Sequence, residues 1–146
     1  MTESSHILAI RVFEQLFKEH PVQIALLDLK GVILAVNERW HTFGRENGLD
    51  PTFDFVGISY LDVCQKAAEA GDELAAIAMT GLLDVMTTGR VNYAMTYPCH
   101  SPDEKRWFKL WIQTQSPANP TIIVVHHLVR SESDLTSFVV FPKWDQ

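Results

Sequence analysis

Two prolines set close together near the middle of the C-terminal half do most to limit what this chain can fold into. They stand in the segment Tyr97-Pro98-Cys99-His100-Ser101-Pro102-Asp103-Glu104-Lys105-Arg106-Trp107-Phe108. Proline donates no backbone hydrogen bond and fixes φ, so neither residue belongs inside a central strand. Before the pair, Val91 to Tyr97 alternates apolar and smaller residues. After it, Trp107 to Thr114 places Phe108, Leu110 and Ile112 on one face and Trp107 and Trp111 on the other. Two strands joined by a rigid turn satisfy both patterns. A third strand follows from Ile122 to Val129, apolar apart from His126 and His127.

The N-terminal half completes the pattern. Ser4 to Glu19 reads as a helix with Ile7, Ile10, Phe13 and Phe17 at helical spacing, widened by Leu16. Arg11, Glu14 and Lys18 form its charged face. Ser4 or Ser5 can cap the start, and Pro21 stops it. Val22 to Asp28 and Val32 to Val36 read as a hairpin turning at Leu29-Lys30-Gly31. Asn37 then caps a helix that Gly48 ends. A further helix is expected from Tyr60 to Ala70. A longer one is capped by Asp72, carries Leu74, Ile77, Leu82, Val85 and Met86 as its buried stripe, and stops at Gly89. Gly81 within it costs about 1 kcal/mol relative to alanine, so close packing or a ligand is expected to need the bare backbone there. The order β-β-α-α-α-β-β-β implies an α+β fold, with an antiparallel sheet and helices gathered on one face.

The same order of residues resembles the PAS sensor domains of bacterial signalling proteins. The resemblance is carried by Val36-Asn37-Glu38-Arg39-Trp40, Arg45-Glu46-Asn47-Gly48, Gly57-Ile58-Ser59-Tyr60-Leu61-Asp62-Val63-Cys64, Ala67-Ala68, Gly71-Asp72, Gly81 and Gly89, and by the Tyr-Pro-Cys-His-Ser-Pro turn before Arg106-Trp107-Phe108. It covers roughly Val22 to Val129. It implies a five-stranded antiparallel sheet with helices on one face and an extra N-terminal amphipathic helix. The expected divisions are 1–21 for the dimerisation or cap helix, 22–130 for the PAS domain and 131–146 for a C-terminal tail. One departure lies at Val129-Arg130-Ser131, where PAS cores of this kind carry an Asp-Ile-Thr-like triplet that passes signal into a C-terminal helix. Because 15 residues follow Ser131, too few for a kinase or cyclase domain, the effector is expected on another chain, or this chain is a piece of a longer protein.

Function follows from what such a domain does and from the residues that lack a chemical role. Acidic side chains number 18 against 12 basic, a net charge of −6 with no basic block, so nucleic acid is not an expected partner. No apolar run reaches membrane-spanning length, and no secretory leader is visible, which points to a cytoplasmic setting. Cys99-His100 has the composition of a nucleophile and base, but adjacent residues on a turn seldom face one another and no orienting third group is evident. The turn is read as structural and the protein as no enzyme. His126 and His127 sit on one strand and point to opposite faces, so they cannot grip one metal together. No residue set meets a haem or flavin attachment pattern, and the helix from Asp72 to Thr88 has no histidine, only Met79 and Met86 as residues able to ligate iron. Cys64 is read as a small buried hydrophobe.

The expected function is a sensory or regulatory module that binds a small ligand in an apolar pocket lined by Trp40, Tyr60, Cys64, Leu82, Tyr97, Phe108 and His126. It signals through homodimer or partner contacts. The dimer interface is expected at Ile10, Phe13, Phe17, Trp107 and Trp111, with each N-terminal helix covering sheet. The rival reading is a ligand-free interaction module whose core is filled by Phe43, Phe53, Phe55, Tyr60 and Phe108.

Overall fold

The structure is a computed structural model and describes residues 3–46, 48–88, 92–98, 102–114 and 121–130. The chain order is α1 (Glu3–Phe17), β1 (Gln23–Leu27), β2 (Ile33–Val36), α2 (Glu38–Glu46), α3 (Tyr60–Glu69), α4 (Glu73–Thr88), β3 (Asn92–Pro98), β4 (Trp107–Thr114) and β5 (Ile122–Val129). The strands form one five-stranded sheet in the order β2-β1-β5-β4-β3, antiparallel throughout. Among the described residues the first and last strands, β1 and β5, therefore lie side by side, Gln23 opposite His126 and Leu27 opposite Ile122. The α+β architecture expected from the sequence is the one observed.

Strand periodicity sorts the side chains onto two faces. On the inner face Ala25, Leu27, Leu110, Ile112, Ile122 and Val124 pack with Tyr60 and Cys64 of α3 and with Ala78, Leu82 and Val85 of α4. On the outer face Ile24, Leu26, Ile123 and Val125 pack with Ala9, Phe13 and Phe17 of α1. The helices after β2 thus cover one side of the sheet and α1 covers the other. Phe13 and Phe17, nearly without solvent exposure, meet edge to face with centroids 5.6 Å apart.

The residues expected at a dimer interface sit as follows within the chain. Phe13 and Phe17 are core residues of their own chain, and Ile10 and Trp111 pack against the same cluster. Trp107 is half-buried on β4. The apolar stripe is covered within the chain and leaves Ile7, Leu8 and Leu16 as the exposed apolar residues of α1.

Buried Asn37 fixes how α1, β1 and α2 meet. Its side-chain oxygen accepts from the backbone N–H of Ile24 and of Trp40, both at 3.1 Å. Its amide nitrogen donates to the carbonyls of Val22 at 2.7 Å and Phe17 at 3.2 Å. One side chain caps α2, holds the end of α1 and satisfies β1, which is why an asparagine stands at the close of an apolar strand.

The turn at Asp28–Gly31 is tied by the Asp28 carboxylate, which accepts from the N–H groups of Lys30 and Val32. Gly31 takes a φ of +87° there, a conformation that favours glycine. At the other end of the fold, Arg106 and Arg130 both approach Glu104, at 3.7 and 3.4 Å, in exposed ion pairs of little energetic weight. The end of the long helix at Gly89, the Cys99-His100-Ser101 turn, the Ser4 and Ser5 caps and the tail from Ser131 lie outside the described residues or side chains.

Candidate functional site

Between the inner sheet face and helices α2 to α4 lies a cavity of about 900 Å³. Its floor is the sheet: Gln23 from β1, His126 from β5, Phe108 from β4 and Tyr97 from β3. Its walls are Trp40, Phe43 and Gly44 of α2, the segment carrying Leu49, Phe53, Phe55 and Ile58, and Tyr60, Val63, Cys64 and Ala67 of α3. Gly71, Asp72 and the first turn of α4 close it.

Three rings define the deep end. Trp40 lies edge to face against Tyr60, with centroids 5.8 Å apart, and against His126, at 5.6 Å. The Tyr60 hydroxyl and His126 Nε2 share a hydrogen bond of 2.6 Å. Burial lowers the His126 pKa to about 4, with a small opposing pull from the Asp72 carboxylate, so the imidazole is neutral at neutral pH. Burial also pushes the Tyr60 hydroxyl well above its usual value, with the neighbouring Cys64 and Asp72 adding to the effect. The Cys64 thiol is raised to about 11, chiefly by burial. A hydrogen bond with Tyr60 acts against that shift, and Asp72 with it. All three groups are uncharged, and a thiol held protonated is a poor nucleophile.

The mouth has a different character. Asp72 caps α4, its carboxylate accepting from the N–H of Ala75 at 3.1 Å. Glu73 accepts from the Tyr97 hydroxyl, tying the start of α4 to the end of β3. Phe43, Leu49, Phe53 and Val63 line the cavity while remaining 37 to 50% exposed, so the lip is apolar.

Of the residues expected to line a pocket, Trp40, Tyr60, Cys64, Tyr97, Phe108 and His126 all do so. Leu82 does not, and that expectation is corrected: it is fully buried in the core, on the side of α4 facing Gly31. Met79 and Met86 pack at the border of the same core, away from the cavity. Among the described residues, no group of three His, Cys, Asp or Glu side chains is placed to hold a metal. None of their helices is long and apolar enough to cross a membrane. Cys99 and His100 lie outside the described residues.

Sequence reasoning missed Gln23, although a lone amide in the run Val22-Gln23-Ile24-Ala25-Leu26-Leu27 was a visible signal. Phe43, Phe53 and Phe55, which the rival reading has filling the core, stand in the lining of the cavity.

No family model matches the chain. An uncharacterized 104.1 kDa protein from the hypE 3′ region of Rhodobacter capsulatus is 33% identical over 106 residues, covering 70% of this chain and 11% of that protein. The chain thus spans 11% of the length of the curated relative it matches. Among solved structures, the PAS domain of BvgS from Bordetella pertussis is similar at a TM-score of 0.56 and 13% identity, covering 87% of this chain and 90% of that one. The PAS domain of an HTR-like protein from Haloarcula marismortui gives a TM-score of 0.45 at 18% identity, covering 84% of this chain and 98% of that one. The BvgS likeness, with the strand order and the helices over the inner face, shows that the chain has a PAS fold.

Proposed function

We propose that this chain is a sensory or regulatory module that takes a small molecule into the cavity between its sheet and helices and passes the occupancy on through contacts with a second copy or an effector on another chain. The observation that carries this reading is the cavity itself. At about 900 Å³ it falls in the size range of small-molecule sites, and a few polar groups converge on aromatic walls. Apolar walls of that extent gain free energy when an apolar body replaces water against them. The rival reading, a ligand-free module with a filled core, loses support for the same reason. A non-enzymatic role is supported by the chemistry inside: Tyr60, Cys64 and His126 are held neutral, and no activated nucleophile stands among them.

Occupancy would act by population shift. Trp40 belongs to α2, whose first turn is tied through Asn37 to the end of α1. A ligand favouring one position of Trp40 favours one seating of both helices.

The test is native mass spectrometry of the purified protein, alone and after incubation with a metabolite extract. A bound molecule is expected that is released on denaturation and absent from an Ala67→Trp variant, which fills the cavity from its wall. An Ala67→Trp protein that folds and retains the same molecule would remove the cavity from the proposal. A wild type that retains nothing and captures nothing would return the filled-core reading.

A further inference from the structure

Among the described residues the cavity walls carry no lysine or arginine, and the charged ones are the carboxylates Asp72 and Glu73 near the mouth. An anion entering it would meet like charge first and no cation afterwards. One polar group in the floor has no role in the fold. Gln23 is 6% exposed and lines the cavity from β1, yet among the described residues its side-chain amide makes no hydrogen bond. An amide facing the cavity from an otherwise apolar strand places a donor and an acceptor where an apolar residue would place none. Its cross-strand neighbour His126 is already engaged with Tyr60. Gln23 is therefore a polar group in the floor that a ligand can engage.

We propose that the cavity takes an uncharged, ring-based molecule whose apolar body lies among Trp40, Phe55 and Phe108 and whose single polar end hydrogen-bonds to the Gln23 amide. This rests on the cavity reading given above and adds the chemical class of the ligand. The amide offers both a donor and an acceptor, so it matches a neutral carboxamide, carbonyl or hydroxyl and has no special match for a carboxylate. The neutral state of the Tyr60–His126 pair agrees, since neither group supplies a positive charge. The apolar side of the lip, at Phe43, Leu49, Phe53 and Val63, gives the ring body a nonpolar surface as it reaches toward solvent.

Calorimetry on the full chain with matched probes tests this. Phenyl, indolyl and naphthyl bodies would each carry an acetamide, an acetate or a methyl group. The acetamides are expected to bind about tenfold or more tightly than the corresponding acetates, because a carboxylate would be desolvated with no cation to pair with it. Gln23→Leu should bring each acetamide to the affinity of its methyl analogue and leave the methyl series unchanged. In the wild type, the side-chain amide resonances of Gln23 should shift on titration with an acetamide, which needs no variant to fold. Acetates that bind as well as acetamides, or acetamides that bind Gln23→Leu unchanged, would overturn the assignment while the cavity reading stands. If no probe of any body binds, the cavity reading falls together with it.

Discussion

A half-buried histidine held as a neutral base leaves a signature in the pH dependence of stability. The folded-state pKa of His126 is lowered from 6.5 to about 4 by burial. Below about pH 6.5 the unfolded chain therefore takes up a proton that the folded chain refuses, and unfolding gains from it. The contribution of neutral His126 is fully present above pH 6.5 and is lost as the pH falls toward about 4. At about 1.4 kcal/mol per pKa unit, the loss over that window is on the order of 3 kcal/mol. A His126→Gln variant keeps a partner for the Tyr60 hydroxyl and removes the titration. Urea denaturation of both proteins between pH 7 and pH 4 should show the wild type losing that much stability relative to the variant. A constant difference between them across the window would mean that the imidazole is solvated and charges freely.

Among the elements, α4 shows how a helix and a strand can depend on one missing methyl group. Gly81 is buried, and a Cβ added there would run into the ring of Tyr93 on β3, which packs against the inner core. Alanine favours the helix by about 1 kcal/mol over glycine, so propensity alone predicts that Gly81→Ala is stabilising. Steric overlap should win, because forcing extra volume into a packed contact costs about 1–3 kcal/mol. Gly81→Ala is expected to lower the thermal midpoint. Gly81→Ala combined with Tyr93→Ala should cost less than the sum of the two changes, as a double-mutant cycle would report. A Gly81→Ala protein more stable than wild type would show that β3 yields freely.

The same helix marks where the sequence stops being legible. Its span could be read from Asp72 and the apolar content, but its rotation could not. Leu74, Ala75, Ala76, Ile77, Ala78 and Met79 present apolar atoms almost all round. Leu82 therefore looked as suitable for a pocket wall as Ala78 is in fact. The strands were easier, since a period of two assigns each side chain to a face once any one is known, and Phe108, Leu110 and Ile112 fell where alternation put them. Gln23 went unused because a single polar residue in an apolar strand has no meaning until its face and its neighbours are known.

At the scale of the whole molecule, the question is what the N-terminal helix does for the fold. The stripe on α1 was plain in the sequence, but an apolar stripe reads the same whether its cover belongs to its own chain or to a second copy. Here the cover is the outer face of its own sheet, with Phe13 in contact with a cluster that includes Ile24, Leu26, Ile123 and Val125. Replacing Phe13 by glutamate would remove a large buried side chain, worth about 3–5 kcal/mol. It would also set a carboxylate where the surrounding side chains offer no partner. The expected result is loss of fold. Phe13→Glu should lower the thermal midpoint by the same amount from micromolar to near-millimolar protein, and deletion of residues 1–20 should give aggregation through the uncovered sheet. An interface role predicts the opposite pattern: a Phe13→Glu protein that keeps its circular dichroism and sediments as a smaller species, with a deficit that shrinks as concentration rises. Thermal melts across the concentration range, together with sedimentation of the variant, separate the two. A folded, smaller Phe13→Glu species would show that α1 spends its time on a neighbour's sheet.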